Sequence, residues 1–160
     1  LRRLPTAARL ATGRTGAPAF HQTPTAAAPV AQPAAAAWLV RREVWNALGG
    51  LDESFAPAWW EDADFCARLE ENLGEPGFPA AEGFSIASTV TASHLGGSSL
   101  ASLEPDDFLQ TFFSNLLRYA DRHHPDRLVL IRMGLKTSLI ARMLTKPSRA
   151  GAYLKILRSI

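Results

Sequence analysis

Cysteine is almost missing from this chain: Cys66 is the only one in 160 residues. A lone thiol excludes an internal disulfide framework and fits a reducing compartment. Its neighbours Phe65 and Leu69 in a helical pattern make it a small core residue rather than a nucleophile. Long hydrophobic runs are missing too. No stretch approaches the roughly 20 uninterrupted apolar residues that a membrane span needs, and Leu1-Arg2-Arg3 is not followed by the apolar run of a signal peptide. There is no initiating Met, which suggests an excerpt from a longer chain, and there is no internal repeat.

Acids are absent where bases are plentiful. Residues 1–42 hold six basic side chains and no carboxylate, whereas residues 43–121 hold fourteen acids against Arg68 and Arg118. Residues 122–160 return to nine bases against Asp126. The formal net charge of +2 therefore conceals an acidic middle between basic ends. That asymmetry suggests a working carboxylate cluster and a tail drawn to an anionic surface, membrane or nucleic acid. Nucleic acid is the weaker fit, because the aromatic-rich middle would repel phosphate.

What is present divides the chain into three stretches. Residues 1–37 read as an Ala/Pro-rich loop or linker with a short helix starting at Pro5-Thr6. His21 within it reads as a solvated loop residue. Residues 38–124 carry the folded signals. Ala36 to Val40 reads as a short buried strand, and Arg41 to Leu48 as a helix stopped by Gly49-Gly50. A second helix begins near Asp62, with Phe65, Leu69 and Leu73 at steps of four, and ends near Gly74. Phe84 to Ala92 alternates and is β-branched enough to predict a strand ending at His94. Pro105-Asp106-Asp107 opens a third helix reaching about His123, where Pro125 ends it. Residues 125–160 read as basic amphipathic helices broken at Pro147, suited to a membrane surface or to docking.

The stretch with chemistry in it is Ala58-Trp59-Trp60-Glu61-Asp62-Ala63-Asp64. Two adjacent indoles precede three carboxylates at a helix start. Indoles can stack on a sugar face and exclude water, or bury themselves as core anchors; one of each is expected from Trp59 and Trp60. The acids can cap a helix, but capping needs one acid and leaves the Trp pair unexplained. Asp62-Ala63-Asp64 is not a chelating pair, since helical positions two apart point about 200° around the axis. Arg68 suits an ion pair with Asp64 one turn earlier. His123 and His124 suit the negative end of a helix rather than a metal.

Four blocks in order, Val40 to Glu43, Leu48-Gly49-Gly50-Leu51-Asp52-Glu53-Ser54-Phe55, Trp60 to Leu69, and His94-Leu95-Gly96-Gly97-Ser98-Ser99, resemble the C-terminal half of family 2 glycosyltransferases. The rhamnosyltransferase-like branch that builds bacterial cell-surface polysaccharide is the nearest, and the resemblance covers residues 36–124. It implies an α/β fold: the acceptor-side part of a GT-A glycosyltransferase, mostly helical with a few strands, lacking the N-terminal Rossmann-like half that binds the nucleotide. It implies inverting transfer from a nucleotide-sugar donor to a glycan or lipid-linked acceptor. Asp62 would be the base and Glu61 its partner, Trp59 and Trp60 would bind acceptor, and Gly96 and Gly97 the donor diphosphate. His94 would help hold a divalent metal (Mg or Mn), supplied mainly by an Asp-x-Asp motif in the other half, without which this stretch should not turn over. The expected setting is cytoplasmic, with peripheral contact on the inner face of the membrane and no nucleic-acid partner. The competing expectation is a non-catalytic carbohydrate- or protein-binding module.

Overall fold

Proline and glycine mark most of the helix ends in the computed structural model, which describes residues 2–16, 27–93 and 104–160. The helices are α1 (Ala7–Ala11), α2 (Arg42–Leu48), α3 (Glu61–Asn72), α4 (Pro105–His123), α5 (Leu128–Thr145) and α6 (Ala150–Ser159). Two short strands, β1 (Pro29–Val30) and β2 (Phe84–Ser85), pair antiparallel with Pro29 opposite Ser85 and Val30 opposite Phe84. The described chain is thus mostly helical with one small ladder. None of its helices is long and apolar enough to cross a membrane. It folds as two compact units, one from Leu1–Leu4, Gly16–Ser54 and Glu61–Gly96, the other from Pro5–Thr15, Phe55–Trp60 and Gly97–Ile160.

In the first unit, Val44, Leu69 and Ala80 form a buried cluster against which Leu48, Leu73, Phe78 and Phe84 pack. Trp38 lies over Phe84 and Phe65, with ring centroids 4.8 Å and 5.5 Å away. The Asp64–Arg68 pair joins α2 to α3. Asp64 is fully buried and accepts from Arg68 Nε at 2.8 Å. The same guanidinium donates to the Leu48 carbonyl and, at 2.9 Å, to that of Gly50. The Leu48 carbonyl is one that the end of α2 leaves without a helical partner, and Gly50 follows in the turn beyond the cap. Gly49 makes this stop possible: its φ of 73° is left-handed, and its N–H donates back to Asn46 O. A planar, forked cation is what several acceptors in one place require.

Two strand expectations fail here. Ala36 to Val40 forms turns and irregular backbone: Trp38 turns inward while Leu39 is 98% exposed, and among the described residues no strand runs beside them. The ladder uses Pro29–Val30 instead, from the stretch read as linker, and an isolated bridge between Arg2 and Gln32 lies beyond it. The strand expected from Phe84 to Ala92 stops at Ser85. Ile86 N–H still reaches Ala28 O, but Val90 bonds back to Ala87 and stays exposed. With no further strand beside it among the described residues, β-branching alone does not extend the strand.

The second unit is a helical bundle in which α5 packs on α6, α1 and α4. Its core includes Leu10, Phe113, Leu116, Tyr119, Ile131, Leu135, Leu139, Tyr153 and Ile156. Pro105 starts α4 where a missing N–H costs nothing, and Pro147 separates α5 from α6. Residues 5–15, where a short helix was expected from Pro5-Thr6, are part of this bundle. Arg142 Nη2 donates to Thr12 O at 3.0 Å, Ser138 Oγ donates to the same oxygen at 3.2 Å, and His124 Nε2 donates to Pro5 O at 3.1 Å. Gly134 lets α1 approach closely: a Cβ there would sit 2.7 Å from the Ala11 Cβ.

Candidate functional site

Glu61 and Asp62 form the first turn of α3, where carboxylates oppose the positive end of the helix dipole. Both are half-buried, and burial is the main reason both hold their protons above the ordinary values of 4.5 and 3.8. For Glu61 the neighbouring Asp62 charge adds to the rise, and the residue's own N–H opposes it. For Asp62 the opposing groups are the Ala63 N–H, the Arg2 guanidinium, the Ala35 N–H and its own N–H. The Ala63 N–H donates to Asp62 Oδ1 at 2.7 Å. Asp62 is therefore a desolvated carboxylate with a ring of donors, while Glu61 keeps a buried Oε2 that no group in the described chain hydrogen-bonds. Trp38 Nε1 and Gln32 Oε1, of the same unit, are likewise buried without a partner. Unsatisfied buried polar atoms cost on the order of 1–3 kcal/mol each and are rare.

The Trp pair belongs to the other unit, whose segment ends at Trp60. The two residues differ in burial. Trp60 is 3% exposed, packs on Phe112 and Tyr119, and donates from Nε1 to Phe112 O at 3.1 Å. It is a core anchor with no free face for a sugar, which corrects its assignment to acceptor binding. Trp59 is half-buried and stands edge-on to Phe108 at 4.0 Å. Both have left-handed backbone, φ 66° and 79°. For bulky residues that conformation costs roughly 1–3 kcal/mol each and persists only where surroundings impose it.

The imposing residue is Asn115, which sequence reading missed. Buried on α4, its Nδ2 donates to Phe55 O at 2.6 Å and Ala58 O at 2.8 Å, with Trp59 O at 3.3 Å sharing. Its Oδ1 accepts from Arg118 at 2.7 Å. Nothing local in the sequence signals this, since the carbonyls that Asn115 holds are more than fifty residues away. Arg2 and Ala35, the groups acting on Asp62, were missed for the same reason.

His94, Gly96 and Gly97 lie outside the described residues. Among the described residues no three His, Cys, Asp or Glu side chains gather to hold a metal. Asp64 is committed to Arg68 and cannot join Asp62 on an ion. Cys66 is buried, and burial pushes its thiol up, so it is inert as a nucleophile. Two clefts flank the ladder, one of about 220 Å³ lined by Val40, Val44 and Phe84 among others, one of about 700 Å³ lined by Val30, Glu70 and Leu73 among others. Neither is lined by Glu61 or Asp62. Comparison of the chain with family models, curated proteins and solved structures returns no match.

Proposed function

We propose that the chain is the acceptor side of a GT-A-type, inverting family 2 glycosyltransferase, with Asp62 as general base. The observation that carries this reading is the carboxylate pair at the start of α3, both members raised by burial. A base must be ionised yet basic enough to take a proton, and desolvation moves a carboxylate that way. In the step, Asp62 accepts the proton of an acceptor hydroxyl as its oxygen bonds to the anomeric carbon of the donor. The bond from that carbon to the diphosphate breaks, and the electron pair leaves with the nucleoside diphosphate. Arg2 and the Ala35 and Ala63 N–H groups stabilise the ionised base between turnovers. Trp59, on its own unit, is the indole assigned to stacking an acceptor sugar. A bacterial surface glycan or its lipid-linked precursor is the acceptor class, and a nucleotide-sugar donor fits a cytoplasmic setting.

Nucleotide release by the whole gene product tests this. Asp62→Asn should lower the rate about 10²–10⁴-fold, the usual worth of a general base. An unchanged rate would show that Asp62 is not the base. The two clefts beside the ladder favour a second reading, a non-catalytic carbohydrate- or protein-binding module. A wild-type protein that retains glycan on a column but releases nucleotide from no donor would support that module.

A further inference from the structure

Helix α5 is apolar on two sides. Ile131, Leu135 and Leu139 face the bundle and are fully buried. Val129, Leu130, Met133, Ile140 and Leu144 are exposed, Val129 by 71% and Leu144 by 81%. At about 100° per residue these five fall within one stripe about 100° wide, on the side opposite the buried seam. The polar members of the helix do not interrupt it. Thr137, within the stripe, turns its hydroxyl back to Met133 O at 3.0 Å, and Thr145 bonds Ala141 O at 3.1 Å. A hydroxyl satisfied by its own helix can sit against hydrocarbon without loss. A continuous exposed apolar stripe of this length marks a contact surface rather than scattered surface residues.

Charge says what kind of surface it meets. From Arg127 to Ile160 the chain has eight basic residues and no acid. Arg132 and Lys136 are exposed and border the stripe on one side, and Lys146 and Arg149 are exposed just past its end. A protein partner of mixed charge does not need this one-signed frame; a sheet of anionic head groups does. We infer that α5 lies in the plane of an anionic bilayer surface, its exposed stripe inserted among the acyl chains and its flanking cations on the head groups. The helix is too short of apolar character to span, so it lies on the membrane. This inference stands on the bundle alone and does not depend on the sugar-transfer reading.

Co-sedimentation of the full chain with vesicles tests it. Wild type should pellet with vesicles of two parts phosphatidylcholine to one part phosphatidylglycerol, stay in solution with phosphatidylcholine alone, and release as salt rises. Ile140→Glu/Leu144→Glu should lower the partition coefficient roughly tenfold or more while leaving the thermal melt unchanged. Arg132→Gln/Lys136→Gln, which leaves the apolar stripe intact, should lower it about tenfold. Failure of the wild type to pellet with the anionic vesicles overturns the inference, as does equal binding by either variant. Sedimentation velocity without lipid should give a monomer. A dimer that the Glu variant dissolves would assign the face to a second copy and overturn it too.

Discussion

Single residues here carry charges and bonds whose removal has a definite sign. Because burial raises the Glu61 and Asp62 pKa values, the folded state holds protons that the unfolded chain releases. Their contribution to stability is therefore complete below the ordinary values of 4.5 and 3.8 and is lost as pH rises through the raised folded values. Asp62→Asn should melt at a higher temperature than wild type at neutral pH, with the difference vanishing below about pH 4. Parallel melts across that range check it, and a variant less stable at neutral pH would mean that the donors around Asp62 outweigh its desolvation. Asn115 has the opposite sign. Asn115→Asp replaces a double donor by an acceptor against two or three carbonyls. The expected loss is about 2–4 kcal/mol at neutral pH, with a red-shifted Trp emission as the Trp59–Trp60 turn loosens. Chemical denaturation followed by fluorescence measures both.

The elements owe their positions to close approaches between backbones and to bonds at helix ends. Gly134 meets Ala11 so closely that Gly134→Val should cost about 1–3 kcal/mol by overpacking and should free residues 5–15. Amide exchange in Ala7–Ala11 rising while that of α4 holds would check it. Helix α4 was legible from Pro105 to His123 because proline, an acidic first turn and a regular apolar face all agree there. The Asp64–Arg68 pair was legible because its partners are one turn apart on one helix. The expected strands were not legible correctly. Alternation in Phe84 to Ala92 says which residues could face a sheet, not whether a neighbour exists to pair with. The left-handed backbone of Trp59 and Trp60 was also illegible, since no local preference of Trp favours it and Asn115 and the Trp60 contacts impose it from afar. Of the candidate site, the carboxylates could be read from the sequence, but the groups that tune them come from other stretches of the chain.

At the scale of the molecule, the sequence crosses between its two compact units five times. No single contiguous fragment contains either one. The stretch from Phe55 to Trp60 serves one unit and the next residue, Glu61, begins a segment of the other. Residues 1–37, read as loop or linker with a short helix, supply that helix to one unit and a strand to the other. The same interleaving bears on truncation. Removing residues 125–160 would take away α5 and α6, and with them Ile131, Leu135, Leu139 and Ile156 of the second core.

The bonds that tie Thr12 to Ser138 and Arg142 span 126 and 130 positions, and the one from His124 to Pro5 spans 119. A ribosome makes the early partner long before the late one. At about 5–20 residues per second, α1 waits for several seconds or more before its docking surface has been synthesised. During that interval Leu10, fully buried at the end, is exposed. The nascent chain thus has a period of vulnerability to proteases and to holdase chaperones that closes only as α5 leaves the exit tunnel.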